Sequence, residues 1–184
     1  MSRMRTVAIL TSVIDALLEE GGTSGRDHLQ CAVYLLVHAA GVQLDFRFER
    51  VGVDGIRSTA MQKEVASLCA DGLLERKFSL KFGPVLVPTP AGRTITRAFP
   101  MTVGRASERI HSVARAVAGI PRKEALNVVL AWQRLSEDDP GSPVDDGNGS
   151  GLMGVREPKK APRNTSRAHT RAKDLNEALA GFRP

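Results

Sequence analysis

The chain has 184 residues and is 42% hydrophobic, yet it holds one Trp, one Tyr and six Phe, with a formal net charge of +6. That length fits one domain with a sizeable core plus an appendage. The lack of aromatics rests the core on Leu, Val, Ile and Ala, and the positive balance favours acidic partners. Cys31 and Cys69 belong to no CxxC or Cys/His cluster, so buried free thiols in a reducing cytoplasm are expected. Arg3 and Arg5 precede the apolar "VAILTSVI", but Asp15, Glu19 and Glu20 follow at once. No run nears the about 18 apolar residues of a membrane span, so a soluble chain without a membrane role is expected.

Val7, Leu10, Ile14, Leu17 and Leu18 recur at helical spacing, and "EEGG" closes that helix. "SGRD" offers Ser24 as N-cap of a second helix, with Asp27 three residues on. Leu29, Ala32, Val33, Leu36, Val37 and Ala40 line one side of that helix, and Cys31 and Leu35 the other. A helix apolar nearly all round is central and buried. Leu44, Phe46 and Phe48 alternate with Asp45, Arg47 and Glu49, the pattern of a half-buried strand.

"VGVDGIRS" reads as a loop ending at a cap, Ser58, and Met61, Val65, Leu68 and Cys69 form the inner face of the helix that follows. Leu73–Phe82 and Val85–Thr89 flank Gly83-Pro84 as a two-stranded hairpin, and Thr89-Pro90 opens the next helix. Ile110, Val113, Ala114 and Val117 mark one more helix, and Pro121 starts another through Leu126, Val128, Val129, Leu130 and Trp132.

Helix, helix, strand, helix and hairpin is the winged-helix order. The expected fold is therefore mainly α with a small antiparallel sheet (α+β). Residues 1–100 form the winged-helix domain and 101–136 a helical pair packed on it. Residues 137–155, rich in Gly, Pro and Asp, read as a flexible linker. Residues 156–184 read as a disordered basic tail ending in a short amphipathic segment, and deletion of residues 141–184 should leave the folded unit intact.

"GRDHLQCAVYLL" carries Gly25-Arg26, Leu29-Gln30 and Tyr34-Leu35-Leu36; Phe46 and Phe48 follow, then Leu68 with Gly72-Leu73-Leu74. On these residues, positions 7 to about 90 resemble the YwgA/SocA-like (Panacea) family of small prokaryotic proteins. Cys31 stands where that family has lysine, and "VDGIRS" replaces its Gly-Pro-Tyr-Ser loop. The resemblance implies an antitoxin, adaptor or regulator bound to another protein, often in mobile or defence gene neighbourhoods, and it implies no catalytic residues and no cofactor.

Little in the residues suggests chemistry. Gly149, Gly151 and Gly154 spell GxGxxG inside the linker, with neither the strand nor the helix that a dinucleotide site needs. His28, His38, His111 and His169 have no metal-ligand spacing. The pairs Asp138-Asp139 and Asp145-Asp146 lie in the linker, where rigid acid–base geometry is not expected. No metal site and no enzyme are expected.

Binding remains. Rotation at about 100° per residue turns Thr59, Lys63, Ala66, Ser67 and Ala70 of the third helix outward, with Gln62 at the edge and Arg57 just before it. Arg76, Lys77 and Lys81 make the hairpin basic, and alternation is expected to put its apolar residues on the other face. Arg156, Lys159, Lys160, Arg163, Arg167, Arg171 and Lys173 concentrate charge in the tail. These are the nucleic-acid candidates. Ala66 and Ala70 suit close approach of a partner helix, and Leu175, Leu179 and Phe182 suit docking into a partner's groove. Two functions follow: a non-catalytic interaction protein with a protein partner, or a winged-helix DNA-binding regulator; a homodimer is a further expectation.

Overall fold

The structure, a computed structural model, describes residues 2–21, 23–51, 55–137 and 164–182. It is mainly helical with small antiparallel pairs of strands, as expected. Helix α1 (Arg3–Gly21) buries Val7, Leu10, Ile14 and Leu17 as its periodicity requires, and Ile9, Val13 and Ala16 besides. Helix α2 (Arg26–His38) is buried nearly all round, Cys31 and Leu35 included.

The start of α2 corrects one expectation. Its N-cap is Gly25, without a side-chain cap bond. The Ser24 hydroxyl donates instead to the Leu86 carbonyl, and Leu86 N–H returns a 3.4 Å bond to the Ser24 carbonyl. Buried Ser24, just before α2, is thus tied to a hairpin that follows far along the chain.

Residues 44–48 keep the expected alternation: Leu44 is buried, Phe46 and Phe48 half-buried, Asp45 and Arg47 exposed. They form no ladder, however. Pairing starts only at Glu49, the last residue of that pattern, and runs into the segment read as a loop, between β1 (Glu49–Val51) and β2 (Gly55–Arg57). Alternation decides which side chains turn inward, whereas a ladder needs a neighbouring backbone, here supplied by the chain's own return.

Helix α3 (Thr59–Ala70) is capped by Ser58, whose Oγ accepts from Met61 N–H at 3.3 Å. Strands β3 (Leu74–Ser79) and β4 (Gly83–Pro88) form the expected hairpin, but its turn is at residues 80–82 and not at Gly83-Pro84, which pair with Ser79 and Phe78; Gly83, with φ 74°, takes the positive φ at the turn's exit. Thr89 caps α4 (Pro90–Ala98) through a 3.2 Å bond from Gly92 N–H, with Pro90 in the first turn. Gly92 packs so close to the Leu73 carbonyl that a Cβ has no room there.

Helices α5 (Pro100–Val117) and α6 (Arg122–Glu137) pack on α1 and α2, as expected of the helical pair. Trp132 of α6 meets Tyr34 edge-on at 6.4 Å between ring centres, and Gln133 Nε2 donates to Tyr34 Oη at 2.7 Å.

The largest correction concerns the tail. Asn164–Leu179 is a helix, α7, followed by a single 3-10 turn, Ala180–Phe182. It packs on α5 and α6 and puts Ala168, Ala172, Leu175 and Leu179, all at most 3% exposed, into the main core. Four apolar residues at i, i+4, i+7 and i+11 draw a narrow stripe that suffices to dock a helix on a groove between two others. The linker read at 137–155 and the first part of the tail lie outside the described residues, apart from the backbone of Glu137.

Candidate binding clefts at the starts of three helices

The hairpin sorts its side chains by strand register. Leu74↔Pro88, Arg76↔Leu86 and Phe78↔Pro84 share one face, and Glu75↔Val87, Lys77↔Val85 and Ser79↔Gly83 the other. The expected separation of basic from apolar faces does not hold, because Arg76 shares its face with Leu74, Leu86 and Phe78. Lys77 is on the opposite face, paired with Glu75 at 2.6 Å. Lys81, in the turn, lies 4.8 Å over the Phe82 ring. Near the same turn Phe78 is 75% and Leu80 100% exposed.

Helix α3 turns Thr59, Lys63, Ala66 and Ala70 to solvent, as rotation requires. Ser67 is not free: Arg3 of α1 reaches across to Glu64 Oε1 at 3.0 Å, Ser67 Oγ at 2.8 Å and Asp71 Oδ2 at 3.1 Å. The hydrogen bonds that Arg3 donates to Asp71 and then Glu64 raise its pKa above its ordinary value. The clamp leaves α3 an outward face of small residues and one cation.

Two joined clefts open beside this helix. One, of about 680 Å³, lies between the start of α2, the inner edge of α3 and the Arg76 face of the hairpin, with Arg122 at its rim. The other, of about 840 Å³, runs from Arg26 and Asp27 past Gln30, Arg57 and Gln62 to Lys123 and Leu126. Arg26, Asp27, Gln62 and Arg122 line both. Arg122 pairs with Asp27 at 2.8 Å. Arg26, Arg57, Arg76 and Lys123 have no acidic partner among the described residues. The Gln62 amide nitrogen is buried with no hydrogen-bond acceptor. Cys31, at the wall of the second cleft, is pushed up to about 12 by burial and then by Asp27, which keeps it a neutral thiol.

The tail candidates divide. Arg156, Lys159, Lys160 and Arg163 lie outside the described residues. Arg167 and Lys173 are exposed on α7, Lys173 4.0 Å from Glu177. Arg171 is no free cation: its Nη1 donates to the carbonyls of Arg115, Ala116 and Ala118 at 3.2, 3.1 and 3.3 Å. It thereby satisfies the unpaired end of α5. Burial is the chief cause lowering its pKa. Leu175 and Leu179, expected as anchors in a partner's groove, are buried in the chain's own core. Phe182 is in the closing 3-10 turn.

Arg26, Arg122, Lys123, Phe78 and Leu80 were not among the sequence candidates. A signal for the first three existed: basic residues in the first turn of a helix oppose its dipole, an unusual choice. Among the described residues, no three His, Cys, Asp or Glu side chains converge as a metal site, and no helix is long and apolar enough to cross a membrane. Comparison with known proteins finds no matching family model, curated protein or solved structure.

Proposed function

We propose that the protein is a non-catalytic interaction module of winged-helix type, an antitoxin-like adaptor or subunit of the Panacea kind that engages another protein. The observation that carries this reading is the surface made by α3 and the hairpin. In a winged helix that reads DNA, α3 would enter the major groove and the hairpin would touch phosphate. Base discrimination draws on Arg, Asn or Gln. This α3 offers Thr59, Lys63, Ala66 and Ala70, and the hairpin ends in exposed Phe78 and Leu80. Small residues admit a close backbone, and two large exposed apolar side chains suit burial in a protein interface.

Ser24 adds support to the winged-helix reading, since its two bonds to Leu86 tie the residue before α2 to β4 of the hairpin. The test is affinity purification of the tagged chain from its native host, with and without nuclease. A protein should co-purify in both cases and be lost with the Phe78→Ser/Leu80→Ser variant at unchanged thermal midpoint. Capture that disappears on nuclease treatment refutes the reading.

A second reading, a DNA-binding regulator, draws on Arg57 and Arg76 on either side of Gln62 beside α3. It expects duplex affinity that falls steeply with salt and weakens in an Arg57→Gln/Arg76→Gln variant.

A further inference from the structure

Helix starts favour acids, because the dipole and the unpaired N–H groups put positive charge there. Helices α2 and α6 begin with Arg26 and with Arg122-Lys123, ahead of Asp27 and Glu124 in the same first turns, and Arg57 precedes the cap of α3. All four cations line the joined clefts, and Arg76 enters from the hairpin. Five cations and three helix starts thus surround one concave region that holds a single acid, Asp27. The Gln62 amide adds a donor without an acceptor. Such an arrangement is unfavourable for the free protein and is relieved by an anionic ligand.

The walls decide what kind of anion. Met61, Val65, Phe82 and Pro84 give the first cleft an apolar lining beside its arginines. Duplex DNA is read by elements that protrude into its grooves, not by a recess between helices. Single strands need aromatic platforms for their bases, and Phe82 is the one Phe, Tyr or Trp that lines either cleft. An extended peptide alternates its side chains between two sides. Acidic residues of such a segment would meet the guanidinium groups while its apolar residues meet Met61, Val65 and Pro84. We propose that the joined clefts dock an acidic, partly apolar peptide segment of the protein partner. This deepens the protein-binding reading and rests on it.

The test uses the full chain and fluorescence anisotropy at about 0.15 M salt, where exposed charges are well screened. The probe is a short labelled peptide alternating Glu and Leu. A Gln/Leu peptide, a single-stranded oligonucleotide and a duplex serve as comparisons. The Glu/Leu peptide should bind at least about tenfold more tightly than each of these, since each charge-assisted contact is worth about a factor of ten or more. The Arg26→Gln/Arg122→Gln variant should lose about tenfold or more. Arg134→Gln, which removes an exposed charge elsewhere on α6, should stay within about twofold.

Thermal midpoints accompany each variant. If the double variant is unfolded, Arg76→Gln on the hairpin must produce the loss instead. Equal affinity for the Glu and Gln peptides, or an Arg134→Gln loss as large as that of the cleft variants, overturns the proposal. So does tighter binding of an oligonucleotide that the cleft variants weaken, which makes the clefts a nucleic-acid site. Failure of the peptide while Phe78- and Leu80-dependent capture persists overturns the cleft assignment and leaves the protein-binding reading standing. The converse result removes that reading and keeps an acidic-peptide cleft.

Discussion

Leu179→Ala is the sharpest test of where the C-terminal segment belongs. Leu179 is 1% exposed and Leu175 2%, each among core residues of α5 and α6 that cannot readily close a void. Truncating a buried leucine costs about 2–5 kcal/mol, transfer and cavity together. In a chain of this size each kcal/mol shifts the thermal midpoint by about 2–4 °C. Leu179→Ala should therefore lower the midpoint by about 4–20 °C in a thermal melt followed by circular dichroism. Lys173→Gln, on the exposed side of the same helix, should change stability by at most about 0.5 kcal/mol. A loss below about 0.5 kcal/mol for both Leu179→Ala and Leu175→Ala would mean that α7 is not part of the core. The same reasoning reverses the expectation that deletion of residues 141–184 is harmless: it would strip four core side chains and expose the α5 carbonyls that Arg171 now satisfies.

Two further outcomes follow from titrating groups. Cys31 is 3% exposed and its pKa is pushed up to about 12, so at neutral pH it should react with a thiol reagent only as fast as the protein unfolds, while half-buried Cys69 reacts first. Two fast-reacting thiols in the native protein would refute the burial of α2. The His38 ring stacks on Tyr34 at 4.3 Å, and partial burial holds its pKa below 6.5. The unfolded chain then binds the proton more readily, so this contribution to stability is complete above pH 6.5 and is lost as pH falls below it. Midpoint against pH should be flatter below pH 6.5 in His38→Gln than in the parent, and parallel curves would refute this.

The elements legible in the sequence are those that local chemistry specifies. Ser58 and Thr89 cap their helices because each cap closes within a few residues, and Gly83 ends the hairpin's turn because its positive φ is a local requirement. Ser24 had the right residue type for a cap, but its hydroxyl found an acceptor in β4, sixty-two positions away. The ladder partner of residues 44–48 failed for the same reason, since pairing is a property of two segments. In α7 the cations dominated the reading, and two of its four inward residues are alanines, too small to mark a face in a charged sequence. The clefts were the least legible feature. Arg26, Arg57, Arg76 and Arg122 come from four separate elements, and only the fold brings them to one place.

That convergence sets stability against binding. A cation in a first turn forfeits about 0.3–1 kcal/mol that an acid there would contribute. Arg26, Arg122 and Lys123 thus weaken the starts of two core helices by an amount comparable to a capping bond. Asp27 recovers part of it, by lying in the first turn of α2 and pairing with Arg122, and Glu124 in the first turn of α6 recovers more. Elsewhere some cations are paired: Arg3 with Glu64 and Asp71, Arg93 with Asp15, Arg115 with Glu20. Acids were therefore available to the fold, and it set three such pairs between α1 and its neighbours while leaving Arg26, Arg57, Arg76 and Lys123 without one around the clefts. A surface whose only purpose was solubility would gain nothing from setting four cations without an acidic partner around a concavity at helix starts. An acidic partner gives that arrangement a purpose, because the charge that destabilises the free protein is the charge that it would neutralise.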